Sequence, residues 1–268
     1  MTNKLANAWM PPVLRSALNR AIGACTTYRG PFASWQEARA SASGYDQAAI
    51  LGRVSAATDR VLRGQGRYEQ DGIVFRGEPP ASHALAGLML AAAHAEGRLS
   101  VLDLGGGLGS HYLRWRPLLD RLPTLRWDVV EQAGFVAEGN KLFAANPSIA
   151  FHESVGAIPS RPNAILASSV LQYLPDPYAV LRELVALGAR TIVLDRMPYG
   201  NTEAVVAQFV PASLGGGSYP LWVLSRETVH GVVEPAYRLV AEFDAPDQPL
   251  RASRIRATHH GSIWLRRT

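Results

Sequence analysis

The chain has 268 residues, of which 47 % are hydrophobic and 18 % charged, with a formal net charge of +5. This composition describes a globular protein rather than a disordered one. It contains no run near the about 20 apolar residues of a membrane span, and its single cysteine, Cys25, excludes an internal disulfide and a zinc cluster.

The N-terminal stretch carries Lys4, Trp9, Pro11, Pro12 and Arg15 and lacks the uninterrupted apolar core of a signal peptide. The expectation is therefore a cytoplasmic protein without stable membrane insertion. Lys4 and Lys141 are the only lysines, so the positive charge is arginine, densest at Arg251, Arg254, Arg256, Arg266 and Arg267. There is no basic block interleaved with aromatics, and no nucleic-acid partner is expected.

In chain order, Pro11-Pro12 opens an amphipathic segment with Val13, Leu14, Ala17, Leu18, Ala21 and Ile22 at helical spacing. Ser34 and Glu37 have the spacing of a capping box. Further helices are expected over 46–62 and 81–95, the second alanine-rich. Residues 1–97 thus read as a helical cap on the substrate side. From Leu99 strands and helices alternate. Strands are expected at 99–104, 125–131, 149–153, 164–170 and 191–195, with helices at 110–119, 135–145 and 177–187. One more helix at 225–233 and strands at 237–243 and 262–267 complete the chain. Regular alternation of this kind implies a doubly wound parallel sheet over 98–268. The connection from Met197 to Leu224, with its triple glycine at 215–217, reads as a lid over the acceptor.

The chemistry concentrates in Val101-Leu102-Asp103-Leu104-Gly105-Gly106-Gly107-Leu108-Gly109-Ser110. Glycines at alternate positions let the backbone approach a ligand closely. An acid two residues before the first glycine suits a cationic or hydroxyl-bearing ligand better than a pyrophosphate. Glu131, at the end of the second strand, stands where a carboxylate accepts both ribose hydroxyls, about 20 residues past the loop. A dinucleotide loop of the G-x-G-x-x-G type needs glycine where Ser110 stands.

The pattern Asp103-x-Gly105-x-Gly107-x-Gly109 resembles the first motif of class I S-adenosylmethionine-dependent methyltransferases. The resemblance implies a Rossmann-like, seven-stranded, doubly wound α/β sheet. It also implies S-adenosyl-L-methionine as cofactor, held by Asp103, Gly105, Gly107, Gly109, Glu131, Gln132, Ser154 and Ser169. Trp35, 44–46, 68–71, 130–132, 168–175 and 218–220 further resemble a bacterial family of methyltransferases associated with surface-polysaccharide gene clusters.

The expected reaction is O-methylation of a sugar or other small-molecule hydroxyl by in-line transfer. The alternatives are N- or carboxyl-methylation of a small metabolite, a nicotinamide-dependent oxidoreductase, and a non-catalytic cofactor-binding module. Candidate bases are Tyr173, His152, Asp195, His259 and His260, and no metal is expected. Arg196 is a candidate for holding an acidic group of the acceptor. A homodimer is the assembly allowed for.

Overall fold

The computed structural model describes residues 25–44, 47–211 and 216–268. The amphipathic segment at 13–22 lies outside these residues, as do Tyr45, Asp46 and Gly215. The chain begins with β1 (Thr27–Phe32), α1 (Trp35–Ala40), α2 (Gln47–Leu62), the hairpin β2 (Tyr68–Gln70) and β3 (Ile73–Phe75), and α3 (His83–Ala93). Ser34 caps α1 by accepting the Glu37 amide at 3.1 Å, while the Glu37 carboxylate accepts the Ala33 amide at 2.9 Å. The capping box is therefore present, with its acid reaching one residue further back than the usual pattern. β1 and the β2–β3 hairpin are additions that helical periodicity does not announce.

Alternation then sets in with β4 (Arg98–Leu104), α4 (Ser110–Leu119), β5 (Thr124–Val130), α5 (Ala133–Leu142), β6 (Ile149–His152), β7 (Ala164–Ser168) and α6 (Pro177–Ala186). It continues through β8 (Thr191–Gly200), β9 (Ala204–Phe209), β10 (Ser218–Val223), α7 (Arg226–Val233), β11 (Tyr237–Asp244), β12 (Leu250–Ala252) and β13 (Ile255–Arg266).

The main sheet has the order β11-β13-β8-β7-β4-β5-β6, with short β12 paired to β13. Strands β8 to β6 are parallel, and β13 and β11 are antiparallel. This is the expected seven-stranded, doubly wound sheet. Strand parity splits the core. Val101, Trp127, Val129, Phe151, Leu166 and Val193 pack with α3, α4 and α5 on one face. On the other face, Leu102, Ile165, Ile192, Leu194 and Trp264 pack with α6 and α7. The order reverses between β4 and β7, and ligands bind beyond the carboxyl ends at such a point.

Strands β8 and β13 run well past their expected ends because they pair with each other beyond the parallel core. Their ladder carries a bulge. His260 pairs with Met197 and Ser262 with Leu194, so Asp195 and Arg196 together oppose Gly261. The connection read as a lid is likewise folded. β9 and β10 join β1 in a three-stranded antiparallel sheet. One face of that sheet packs Val205 against Trp35 and Ala38 of α1. The other packs Val206 and Leu221 against Leu250, Ile255 and Ala257 of β12–β13.

Two glycines test the packing of the helices. A Cβ on Gly87 of α3 would lie 2.5 Å from Val193 Cγ2, while one on Gly52 of α2 meets nothing within 4 Å. Gly87→Ala is expected to destabilise the fold by about 1–3 kcal/mol, and Gly52→Ala to stabilise it by about 0.5–1 kcal/mol. Urea denaturation with an unchanged m-value reads both effects.

Candidate functional site

The turn that ends β4 lies over the β4–β7 reversal. Gly105 and Gly107 have φ of +69° and +59°, in the left-handed region open to glycine. A side chain on Gly105 would strike Val170 Cγ2 at 2.5 Å, whereas a Cβ on Gly107 would meet only Ser110 Oγ at 3.8 Å. The turn is thus packed on one side and open on the other, as a backbone cradle for a ligand requires. Gly109 occupies the N-cap position of α4, against Ile149.

Carboxylates surround this turn. Asp103 is wholly buried beneath it, and its Oδ2 takes the Trp127 Nε1–H at 3.1 Å and lies 3.3 Å from His111 Nδ1. Asp103 Oδ1 has no hydrogen-bond partner among the described residues. Glu131 follows β5 and folds over the turn. Its Oε1 accepts the Gly107 amide at 3.3 Å, and its Oε2 accepts the Gln132 amide at 2.9 Å. Burial raises its pKa, helped by Asp103 and opposed by these two amides.

The third acid is Glu69 of β2, which in the sequence stands out only within the 68–71 segment of the family resemblance. It is 1 % exposed, accepts the Gly72 amide at 3.1 Å, and is hydrogen-bonded by the hydroxyl of Ser110, the first residue of α4. Burial raises its pKa as well. A carboxylate therefore already sits at the helix N-terminus, where the partial positive charge of the helix would otherwise attract a ligand anion.

Ser169 and Ser154 are differently placed. Ser169 follows β7 with φ +55°, donates its amide to Asp195 O and accepts Gln172 Nε2 through Oγ at 3.0 Å. Ser154 is exposed after β6, at the start of a short 3-10 turn, and Gln132 stands at the N-cap position of α5.

Of the five candidate bases, three gather around Arg196, the bulge residue with φ +59°. Asp195 accepts the Ser168 hydroxyl at 2.8 Å. Tyr173 donates its hydroxyl to Gln208 Oε1 at 3.1 Å and meets the Tyr219 ring edge-on at 5.3 Å. Burial drives the Tyr173 pKa far upward, so its hydroxyl is protonated and is a donor, not a base. Burial lowers the pKa of His259, against the pull of Asp247, so this ring is neutral at physiological pH. His259 Nδ1 is buried without a hydrogen-bond partner among the described residues.

The other two histidines are engaged elsewhere. His152 Nε2 lies 2.7 Å from Asp128, which Arg126 also grips, on the edge strand three positions from β7. His260 pairs with Asp244 at 3.0 Å and with Thr258 at 2.7 Å. The structure therefore does not bring either of them to the Tyr173 cluster, because neighbouring acids and hydroxyls hold both in place.

Arg196 itself is held by Asp247 through three contacts of 2.7 to 3.1 Å. That pairing corrects its reading as an open anchor for an acidic group. Above it, Tyr28, Gln208 and Tyr219 stand in register across β1, β9 and β10. Burial and Asp247 push the Tyr28 pKa up to about 12. Among the described residues no cluster of three or more His, Cys, Asp or Glu is placed to hold a metal, and no helix is long and apolar enough to cross a membrane.

No family model matches this chain, and no curated protein matches it in sequence. Solved structures of similar shape include the N-terminal domain of EvdMO1 in the presence of SAH and D-fucose. It is 15 % identical, with a TM-score of 0.48, over 84 % of this chain and 98 % of that one. A second is the 1,6-didemethyltoxoflavin-N1-methyltransferase of Burkholderia thailandensis with bound SAH, at 15 % identity and TM-score 0.46, over 89 % and 92 % of the chains. A third is SAM-bound CalS10 of Micromonospora echinaspora, an amino pentose methyltransferase, at 15 % and 0.46, over 78 % and 96 %.

The raised carboxylates fix a pH dependence. A folded-state pKa above the unfolded one gives stability that is complete below the unfolded pKa and is lost as pH rises through the folded pKa. Without ligand, Glu131→Gln is therefore expected to raise Tm at pH 7.5, with the gain shrinking as the pH falls toward 4.5, the ordinary value for this carboxyl. Thermal melts of both proteins across that range check it.

Proposed function

We propose that this protein is an S-adenosylmethionine-dependent methyltransferase acting on a hydroxyl of a sugar or another small molecule. The observation that carries this reading is the ring of carboxylates Asp103, Glu131 and Glu69 around one glycine turn. A dinucleotide would bring its pyrophosphate to the N-terminus of α4, where Glu69 already lies. An adenosine cofactor with an ammonium group suits the same residues. Glu131 accepts ribose hydroxyls, the unpartnered Asp103 Oδ1 accepts an N–H, and the open side of Gly107 leaves room for the ligand.

When bound, S-adenosylmethionine supplies a methyl group on a positively charged sulfur. The chain has to place the acceptor oxygen in line with that methyl, exclude water and receive the hydroxyl proton. His259 is the proton acceptor, because its ring is neutral and its Nδ1 is unpartnered. Asp247 stabilises the imidazolium that results, as its electrostatic pull on His259 requires. Tyr173 and Gln172 shape the floor, and Tyr28, Gln208 and Tyr219 form the roof. The chain before β4, together with β9 and β10, thus covers the acceptor side.

Calorimetric titration should show S-adenosylhomocysteine binding that NAD does not displace. Glu131→Ala should weaken it by about 2 kcal/mol, roughly thirtyfold. Displacement by NAD, or an unchanged affinity in Glu131→Ala, would remove the reading. In assays of labelled methyl transfer to a panel of hexoses and deoxyhexoses, His259→Asn should lower kcat by about 100-fold. Its affinity for S-adenosylhomocysteine should stay unchanged.

A further inference from the structure

Beyond the type of reaction, the charges around Arg196 bear on what the acceptor carries. Arg196 is the one guanidinium in the cluster formed with Tyr173, Asp195 and His259, and Asp247 grips it from one side. Asp195 and Asp71 also act on its charge. His259 adds no compensating charge while its pKa is held down, and both Tyr28 and Tyr173 stay protonated. Other arginines nearby are directed away from Arg196 and keep their charge, Arg53 among them beside Gly72. Arg29 lies over the Phe209 ring at 4.5 Å, and Arg114 contacts Gln70 and lies over the Tyr68 ring. Three carboxylates, Asp247, Asp195 and Asp71, thus act on the Arg196 guanidinium. At this partly buried cluster, an acidic substituent beside the carboxylates would be repelled and an ammonium attracted.

The uncharged groups point the same way. Gln172 is 1 % exposed, and its Oε1 is buried with no hydrogen-bond partner among the described residues. Its amide nitrogen is spent on Ser169 Oγ and Arg196 O, so the oxygen is left to receive a donor. Tyr28 and Tyr173 pack against the Val206 and Leu221 cluster and Tyr219 meets Tyr173 edge-on, which sets aromatic rings, able to attract a cation, beside the Arg196 cluster.

We propose that the acceptor is a hydroxylated amine, an amino sugar in its ammonium form, and that the site discriminates against the corresponding acidic sugar. This rests on the methyltransferase reading above and names its substrate class. The test uses the full chain saturated with S-adenosylhomocysteine, whose ammonium and carboxylate cancel. Methyl glucoside, methyl 2-amino-2-deoxyglucoside and methyl glucuronide are titrated by calorimetry, at a pH where the amine is protonated.

The amino glycoside should bind about tenfold tighter than the neutral one, the uronide should bind weakest, and added salt should narrow the gap. Asp71→Asn, an exposed turn position at φ +54° that asparagine tolerates, should bring the amino and neutral glycosides closer together. A uronide that binds as well as the amino glycoside, or no binding by any of the three, overturns the proposal. Failure of S-adenosylhomocysteine itself to bind would instead overturn the cofactor reading beneath it.

Discussion

Asp103 lies at zero exposure directly beneath the glycine turn, and the ligand edge of the sheet is organised around that buried charge. A carboxylate removed from water is costly unless it is hydrogen-bonded or paired. Trp127 Nε1 and His111 approach one of its oxygens, while the other has no hydrogen-bond partner among the described residues. A Cβ on Gly106 would come within 2.4 Å of Asp103 Oδ2, so the acid also dictates a bare backbone above it. Its field adds to the burial that raises the Glu131 pKa. With Glu69 at the start of α4, the turn is negative from three directions and lacks the positive helix end that phosphates use.

The edge around Arg196 depends on a second constraint, the bulge of Asp195 and Arg196 against Gly261. A bulge bends its strand and turns a side chain away from its regular direction. Here it brings Arg196 to Asp247, 51 residues further along the chain. The left-handed backbone at Arg196 and at Ser169 costs of order 1–3 kcal/mol each, a cost characteristic of functional edges. The three-stranded cap closes over this edge, because β1 lies beside β9 and carries Tyr28 into register with Gln208.

The sequence made the turn and Glu131 legible because both are local. A run of branched residues, an acid, spaced glycines and a second acid at the end of the next strand need no tertiary information. The seven-stranded sheet was legible for the same reason, through the regular alternation after Leu99. Long-range pairing accounts for most of what was hidden. β1 is six residues long, and its partner β9 lies inside a connection that reads as a loop. The Tyr28–Gln208–Tyr219 row exists only once that register is set. Arg196 looked available because its partner, Asp247, is distant in sequence. Glu69 appeared within a motif, but its position at Ser110 follows from how the β2–β3 hairpin packs on α4. Three of the five candidate bases are histidines that look alike as sequence, and only burial and partners separate His259 from His152 and His260.

The central claim is that the carboxylates around the glycine turn select an adenosine cofactor with an ammonium group rather than a phosphate. A crystal structure of the protein with S-adenosylhomocysteine tests it most directly. The account predicts both ribose hydroxyls on the Glu131 carboxylate and the ligand backbone along the open side of Gly107. It also predicts Glu69 still bonded to Ser110. A ligand bound away from Glu131, or an anionic group at the N-terminus of α4 with Glu69 displaced, would contradict it.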